Sequence, residues 1–329
     1  MMIILSIIIP AYNVEKTLAR CLDTLIDTSL VGKIEILVVN DGSTDGTLDL
    51  ANLYKKCYPD FVHVINKKNG GHGSTLNAGI LLAKGKYIRI IDGDDWVDTD
   101  SFIKSVNALE ELETDIVCMP YQRVDLNTYE STYFDTPGIA KNVTFTLQDV
   151  NPENLYFALA STCFATKLMR RSNIHFLEHT FYVDVMLNVL PVLYAKDIVL
   201  LPYDVYRYGV GNINQSVSIQ NFIARYKDHQ RVIMKCLEQC DINKFLLGVS
   251  EKRYIYNILK QVIITHCKIL KFGLKDNDKL ALFLRDISTY DEQLISGIRT
   301  RLFLIKIKYF LKKICPQLTR TIAKFYRSM

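Results

Sequence analysis

The sequence predicts an α/β protein with a doubly wound, mostly parallel sheet and a helical C-terminal extension. Two observations carry this expectation. As far as Pro120, short β-branched runs alternate with amphipathic stretches, the rhythm of strand–helix–strand units in a parallel sheet. Polar, glycine-bearing clusters then fall just past the ends of the apolar runs, where ligands bind in such sheets. From about Ile219 to Thr289 the pattern becomes dominantly helical.

Taken in order, Leu5 to Pro10, Ile34 to Asn40, Phe61 to Asn66, Tyr87 to Asp92 and Asp115 to Met119 read as strands. Glu15 to Asp27, Asp45 to Cys57, Ser74 to Lys84 and Thr99 to Leu112 read as the helices between them. From Tyr121 to about Pro152 the pattern loosens into threonine- and tyrosine-rich segments broken by Pro137-Gly138. These are expected to be extended pieces that complete the sheet or form a flap beside it. Asn151 to Leu159 and Val183 to Tyr194 read as helices and Ile198 to Pro202 as a strand. Tyr206-Arg207-Tyr208-Gly209 then opens a glycine- and asparagine-rich loop to Ser218. With no internal repeat and no low-complexity linker, the later helices are expected to pack on the first domain.

Composition narrows the class. A chain of 329 residues has ample apolar content for a core and is long enough for an enzyme. Its eight cysteines include no CxxC pair, and Cys236 and Cys240 have no histidine at metal-ligand spacing, so they read as reduced, packing thiols. Met1 to Pro10 lacks a basic flank and a cleavage signature and reads as a buried strand. No apolar run approaches the roughly 20 residues of a spanning helix. The net charge of +5 is unevenly placed: from Ser296 onward there is no acid, while Arg299, Arg301, Lys306, Lys308, Lys312 and Lys313 alternate with aliphatic and aromatic residues. That tail suits an anionic membrane surface; it equally suits a solvated helix packed on one face. Nothing else builds a basic groove, so no nucleic-acid partner is expected.

The chemistry gathers at the strand ends. Asp92-Gly93-Asp94-Asp95 follows the run Tyr87 to Ile91 and precedes Trp96, the only tryptophan. Three acids in four positions repel one another unless a cation neutralises them, and hard oxygen ligands suit Mg²⁺ or Mn²⁺; an acidic turn capping the next helix is the plainer reading. Asn40-Asp41-Gly42-Ser43 ends another strand. A carboxylate there can accept the imide hydrogen of a pyrimidine, whereas a turn and cap explains the glycine and serine but not the acid. Pro10-Ala11-Tyr12-Asn13 stops sheet pairing and offers an aromatic ring to a base or ribose, or to packing. Gly70-Gly71-His72-Gly73-Ser74 runs into a helix bearing Asn77, and such glycines let amides approach a phosphate. It matches neither the GxGxxG fingerprint nor the lysine-bearing phosphate loop. His72 then contacts diphosphate or donor sugar, or is merely structural. Asp184 stands at a helix start, where the dipole alone would favour an acid, and Arg207 lies between two tyrosines, either facing a leaving diphosphate or simply exposed.

Ile9-Pro10-Ala11-Tyr12-Asn13, Val39 to Asp45, Asn69-Gly70-Gly71 with Asn77-Ala78-Gly79-Ile80, and Asp92 to Asp95 occur in an order that resembles the family 2 glycosyltransferases. The likeness is strongest to bacterial members that build surface polysaccharides. It implies the GT-A nucleotide-diphospho-sugar-binding fold over residues 1–218, with a donor half of about 1–120 and an acceptor half of about 121–218. A helical region, 219–329, follows, ending in the basic amphipathic tail of about 296–329. The resemblance places Pro10, Ala11, Tyr12, Asn13, Asp41, Gly71, His72, Asn77, Asp92, Gly93 and Arg207 around the donor nucleotide, with Tyr12 and Asp41 at the base. It implies a Mn²⁺ or Mg²⁺ site at Asp92, Asp94 and Asp95. Asp184 matches the aspartate of the family's Glu-Asp base motif, with Val183 in place of the glutamate, and Gln215 and Ser216 extend the phosphate-side loop. The implied activity is inverting transfer from a nucleotide-diphosphate sugar, expected to be a UDP-sugar, to a hydroxyl of a glycan or lipid-linked acceptor. The expected location is cytoplasmic, peripheral to the membrane if the tail binds lipid. A catalytically silent binding relative is the rival that Val183 suggests. A sugar nucleotidyltransferase would carry a glycine-rich, basic loop where Ala11-Tyr12-Asn13-Val14-Glu15 stands, and a nicotinamide dehydrogenase would need first-turn glycines.

Overall fold

The computed structural model describes residues 2–211, 219–240, 247–290, 296–298 and 300. The expectations for Gln215, Ser216 and nearly all of the basic tail lie outside these residues. The chain packs as two units, Met1–Ile258 and Leu259–Met329.

In the first unit, strands β1 (Leu5–Ala11), β2 (Ile34–Asn40), β3 (Val62–Asn66) and β4 (Tyr87–Ile90) alternate with helices α1 (Leu18–Asp23), α2 (Thr47–Cys57) and α3 (His72–Leu82). The chain continues through β5 (Trp96–Val97), α4 (Thr99–Glu111), β6 (Ile116–Cys118), β7 (Tyr121–Asp125), β8 (Ser131–Phe134) and β9 (Thr144–Phe145). Next come β10 (Thr162–Ala165), α5 (Thr166–Arg171), α6 (Asp184–Val189), β11 (Ile198–Leu200) and β12 (Tyr206–Val210). Helices α7 (Ile219–Ala224), α8 (Tyr226–Gln239) and α9 (Val249–Lys268) follow, with α9 reaching into the second unit, where α10 (Asn277–Ser288) lies.

The larger sheet has the order β3-β2-β1-β4-β10-β6-β11-β9. Its first four strands are parallel, β10 runs antiparallel between β4 and β6, and β11 is again parallel to β6. The α/β fold expected from the sequence is therefore present. β1 and β2 are β-branched and almost wholly buried, as strands covered on both faces must be. Buried Glu35 accepts at Oε1 from the Ser6 hydroxyl at 2.6 Å and the Lys84 amide at 2.5 Å. A second sheet, β5-β12-β7-β8, stands beyond the acidic turn.

Several boundaries differ from the sequence reading. Asn151 to Leu159 is not a helix: Pro152–Asn154 makes one 3₁₀ turn, and then Leu155 and Phe157 are buried while Tyr156 is exposed, the alternation of extended chain. Tyr206 to Gly209 belongs to β12, paired in parallel with β7, instead of opening a loop. The segment from Tyr121 supplies β7 and β8 to the second sheet and β9 to the first. α3 begins at His72, two residues earlier than predicted, because Gly71 adopts a φ of 81° that turns the chain into the helix. Among the described cysteines none is paired, and all but Cys57 are buried. No described helix is long and apolar enough to cross a membrane.

Candidate active site

The carboxyl ends of β1, β2 and β4 meet at one edge, and their loops are laced together. The Asp41 amide donates to the Ala11 carbonyl at 2.9 Å, the Asn13 amide to the Ser43 hydroxyl at 3.1 Å, and the Thr44 amide to Asn13 Oδ1 at 2.8 Å. Asn13 holds a φ of 55°, a left-handed conformation that asparagine tolerates better than most residues. The turn leaves Tyr12 51% exposed, its ring available to a flat ligand.

Asp41 is buried, and its carboxylate organises the glycine loop. Oδ1 accepts from Lys67 Nζ at 2.8 Å and the Gly70 amide at 2.9 Å, and Oδ2 accepts from the Gly71 amide at 2.7 Å. Since a carboxylate oxygen has two lone pairs, Oδ2 retains one acceptor position. Lys67 also donates to Ser74 Oγ at 2.7 Å.

The acidic turn is held from below by α1 and its lead-in. Thr17 Oγ1 donates to the Gly93 carbonyl at 2.9 Å, and Arg20 Nη2 to the Asp94 carbonyl at 2.9 Å. The Arg20 guanidinium lies 3.8 Å from the Trp96 ring centroid, so the lone tryptophan supports the cation that grips the turn. A Cβ at Gly93 would come within 3.1 Å of Val14 and 3.2 Å of the Pro10 carbonyl, which ties the β4 turn to the end of β1.

The three acids are not equivalent. Asp95 is buried and accepts from the Tyr206 hydroxyl at 2.6 Å and the Gly209 amide at 2.8 Å. Tyr206 in turn accepts from the Asp92 amide at 3.2 Å. Asp95 thereby locks β12 to the turn, while the Asp92 and Asp94 carboxylates accept no hydrogen bond from another described residue. Ligand atoms of all three come within 4.8 Å of one another. Burial, then Asp94, then Asp184 push the Asp92 carboxyl up to about 8. Burial also raises Asp94, opposed in part by Arg20 and His72, and burial with the neighbouring acids raises Asp95 well above its ordinary value. Carboxylates so crowded cannot all ionise without a compensating cation, and an all-oxygen pair at Asp92 and Asp94 fits Mg²⁺ or Mn²⁺.

Asp184 is the first residue of α6 and lies open to solvent, yet closely surrounded. Burial raises its carboxyl and His72 opposes that shift. Val183 is 2% exposed and faces the core. Just before it, Tyr182 adopts a φ of 67°, an uncommon conformation for an aromatic residue and one that clusters at functional sites. Tyr182 is fixed by stacking on Phe222 at 4.7 Å and by an edge contact with His229 at 5.4 Å. His72 connects the two acidic groups: its Nε2 lies 4.0 Å from Asp92 Oδ1, and Asp184 and Asp94 are the foremost charges acting on its ring.

Two residues expected at the donor are engaged elsewhere. Asn77 clamps the backbone of Phe176, donating to its carbonyl and accepting from its amide, each at 2.9 Å; it positions the segment leading to Asp184. Arg207 pairs with Asp204 at 2.8 Å and Asp98 at 3.5 Å, because alternation along β12 turns it away from the face that carries Tyr206 to the acids. Tyr206, Lys67 and Arg20 were not anticipated. The Tyr-Arg-Tyr alternation was the available signal for Tyr206 and for Tyr208, whose hydroxyl is pushed up by burial and then by Asp95, Asp92, Asp94 and Asp184.

Comparison with known proteins agrees with this architecture. The same fold occurs in the crystal structure of S. aureus TarS 1-349, with a TM-score of 0.63 at 18% identity, covering 90% of this chain and 83% of that one. TarS 1-349 in complex with UDP-GlcNAc superposes equally, with a TM-score of 0.63 at 19% identity over 90% of this chain and 84% of that one. The mannosyltransferase PcManGT from Pyrobaculum calidifontis, in complex with GDP-Man and Mn²⁺, gives 0.53 at 16% identity over 96% and 88%. The model of glycosyl transferase family 2 matches residues 6–176, and the chain belongs to this family. It is 27% identical over 325 residues to the poly(ribitol-phosphate) beta-glucosyltransferase of Bacillus spizizenii, covering 92% of this chain and 48% of that protein. It is also 32% identical over 210 residues to the uncharacterized glycosyltransferase EpsJ of Bacillus subtilis, covering 62% of this chain and 60% of the relative. The chain therefore spans about half the length of these curated relatives.

Proposed function

We propose that the protein is an inverting glycosyltransferase that moves a sugar from a UDP-sugar to a hydroxyl of a cell-surface polymer or its lipid-linked precursor. The observation that carries this reading is the proximity of Asp184, His72 and the Asp92–Asp94 turn, whose charges bear on one another. Family membership, the UDP-GlcNAc complex of TarS and the polymer named for the Bacillus spizizenii relative support it.

Tyr12 and the remaining acceptor position of Asp41 would receive the base, and the Gly70–Gly71 loop would approach the phosphates. Asp92 and Asp94 would hold a divalent cation, which supplies positive charge to the departing diphosphate. Asp184 would accept the proton of the acceptor hydroxyl as the oxygen–anomeric carbon bond forms and the carbon–phosphate oxygen bond breaks. Its value lies in placement on a rigid helix start and in taking the proton late. The acceptor would approach over Tyr156, whose hydroxyl accepts from Asn188 Nδ2 at 3.2 Å, one helical turn beyond Asp184 on the same side of α6.

The direct test is calorimetric titration with UDP in Mn²⁺ and in EDTA, followed by transfer assays with UDP-sugars. Metal-dependent UDP binding with turnover supports the proposal. Binding without turnover on any UDP-sugar, with poly(ribitol phosphate) or surface glycan as acceptor, would favour the silent binding relative.

A further inference from the structure

The glycine loop presents one nitrogen that the donor site leaves without a partner. His72 Nε2 is buried and makes no hydrogen bond, although 34% of the side chain, along other ring edges, reaches solvent. The loop that carries it is fixed from two sides. The Gly71 amide is held by Asp41 at 2.7 Å, and the Gly70 carbonyl accepts from the His179 amide at 2.5 Å. A Cβ on Gly73 would stand 2.1 Å from the Leu177 carbonyl, so only glycine fits beside the imidazole where the loop meets that segment. The backbone that carries the ring is thus held from two sides, and the charges that face the ring are Asp92 at 4.0 Å, Asp94, Asp184 and Asp41.

A buried imidazole nitrogen without a partner is unfavourable unless a ligand completes it. The 4.0 Å separation from Asp92 Oδ1 falls within the span of two ligands of one octahedral ion, about 3 Å for adjacent positions and about 4.2 Å for opposite ones. We propose that His72 Nε2 is a ligand of the divalent cation held by Asp92 and Asp94, and that this nitrogen makes the site prefer Mn²⁺ to Mg²⁺. The chemistry follows from donor type: Mg²⁺ takes oxygen ligands in a strict octahedron, whereas transition ions accept imidazole. This inference rests on the metal-assisted donor site proposed above.

The test uses the full chain loaded with Mn²⁺, with and without UDP, and reads nitrogen coupling to the ion by electron spin-echo modulation. The wild type is expected to show directly bound ¹⁴N, and His72→Gln to lose it. Loss of one ligand is expected to weaken Mn²⁺ about tenfold or more in metal titrations, while Mg²⁺ affinity stays within about twofold. His72→Asn repeats the measurement should the glutamine variant fold poorly, and the wild-type spectrum decides the ligand independently of either. Bound Mn²⁺ without nitrogen coupling, coupling that survives in the variant, or equal weakening of both metals would overturn the assignment while leaving the UDP site intact. No Mn²⁺ binding in either condition would overturn both this inference and the metal-assisted reading on which it rests.

Discussion

The loops proposed to hold the donor base and the elements that carry the acidic turn and Asp184 are held in different ways. On the donor side, short loops at neighbouring strand ends bind one another: Asn13 to Ser43 and Thr44, Asp41 to Gly70 and Gly71. Around the acidic turn and Asp184 the fixing partners are remote in sequence. Asp95 is held by Tyr206 and Gly209, 111 and 114 positions away, and the turn before Asp184 is fixed by Phe222 and His229 from α7 and α8. Changes beyond Tyr121 should therefore leave the loops at the proposed base site in place, whereas metal-dependent donor binding and transfer should depend on those long-range contacts.

The largest effect is expected from Asp184→Asn, which keeps the shape and removes the proposed proton acceptor. Transfer should fall about 10²- to 10⁴-fold, with UDP affinity changed less than about twofold since no donor group is lost. Near-normal turnover in the variant would break the acceptor-side assignment; lost UDP binding would show that the two halves are not separable.

A pH effect follows from the packing of the Tyr182 turn. His229 is 4% exposed, set against Tyr182 and Phe222, and burial depresses its pKa from 6.5 to about 4. Between those values the unfolded chain binds a proton that the folded one does not, so stability falls as pH drops from about 6.5 toward 4 and the loss is complete below 4. The full contribution is on the order of 3 kcal/mol. Chemical denaturation across that range should show the loss in the wild type and a flatter profile in His229→Phe. Parallel profiles would remove His229 as the cause.

Tyr206→Phe should cost somewhat less, about 1–3 kcal/mol, because it leaves a buried Asp95 oxygen and the Asp92 amide without their shared hydroxyl. Unlike Asp184→Asn it should also weaken metal-dependent UDP binding, as the acidic turn loses its anchor to β12. Unchanged stability and UDP affinity would mean that the long-range bond does not hold the turn.

The same contrast explains how much the sequence disclosed. The alternation from Leu5 to Pro120, the acidic turn and the Asp41 loop were legible because their chemistry is local: apolar period, glycine placement and acid spacing lie within a few residues. Asp184 was legible as a helix start. The engagement of Asn77 with Phe176 was not, since no pattern in either segment names the other across 99 positions. Nor was the extended run at Leu155 to Phe157, where a helix-compatible composition gives way to burial of alternate residues against the core. The strand at Arg207 was hidden for a related reason: flanked by tyrosines the residue resembles an exposed loop cation, and only pairing of β12 with β7 reveals its ion pairs with Asp98 and Asp204.

Arg207→Gln is accordingly expected to have the smallest effect on donor binding. Its side chain bridges Asp98 and Asp204 and is only 15% exposed, so the substitution removes two partly buried ion pairs at a cost of about 1–3 kcal/mol of stability. Neighbouring residues on a strand face opposite sides, which puts Tyr206 and Tyr208 toward the acids and Arg207 away from them. UDP affinity in Mn²⁺ should therefore stay within about twofold of wild type. A loss of about tenfold or more would mean that Arg207 reaches the diphosphate after all, and would require β12 to rearrange when donor binds.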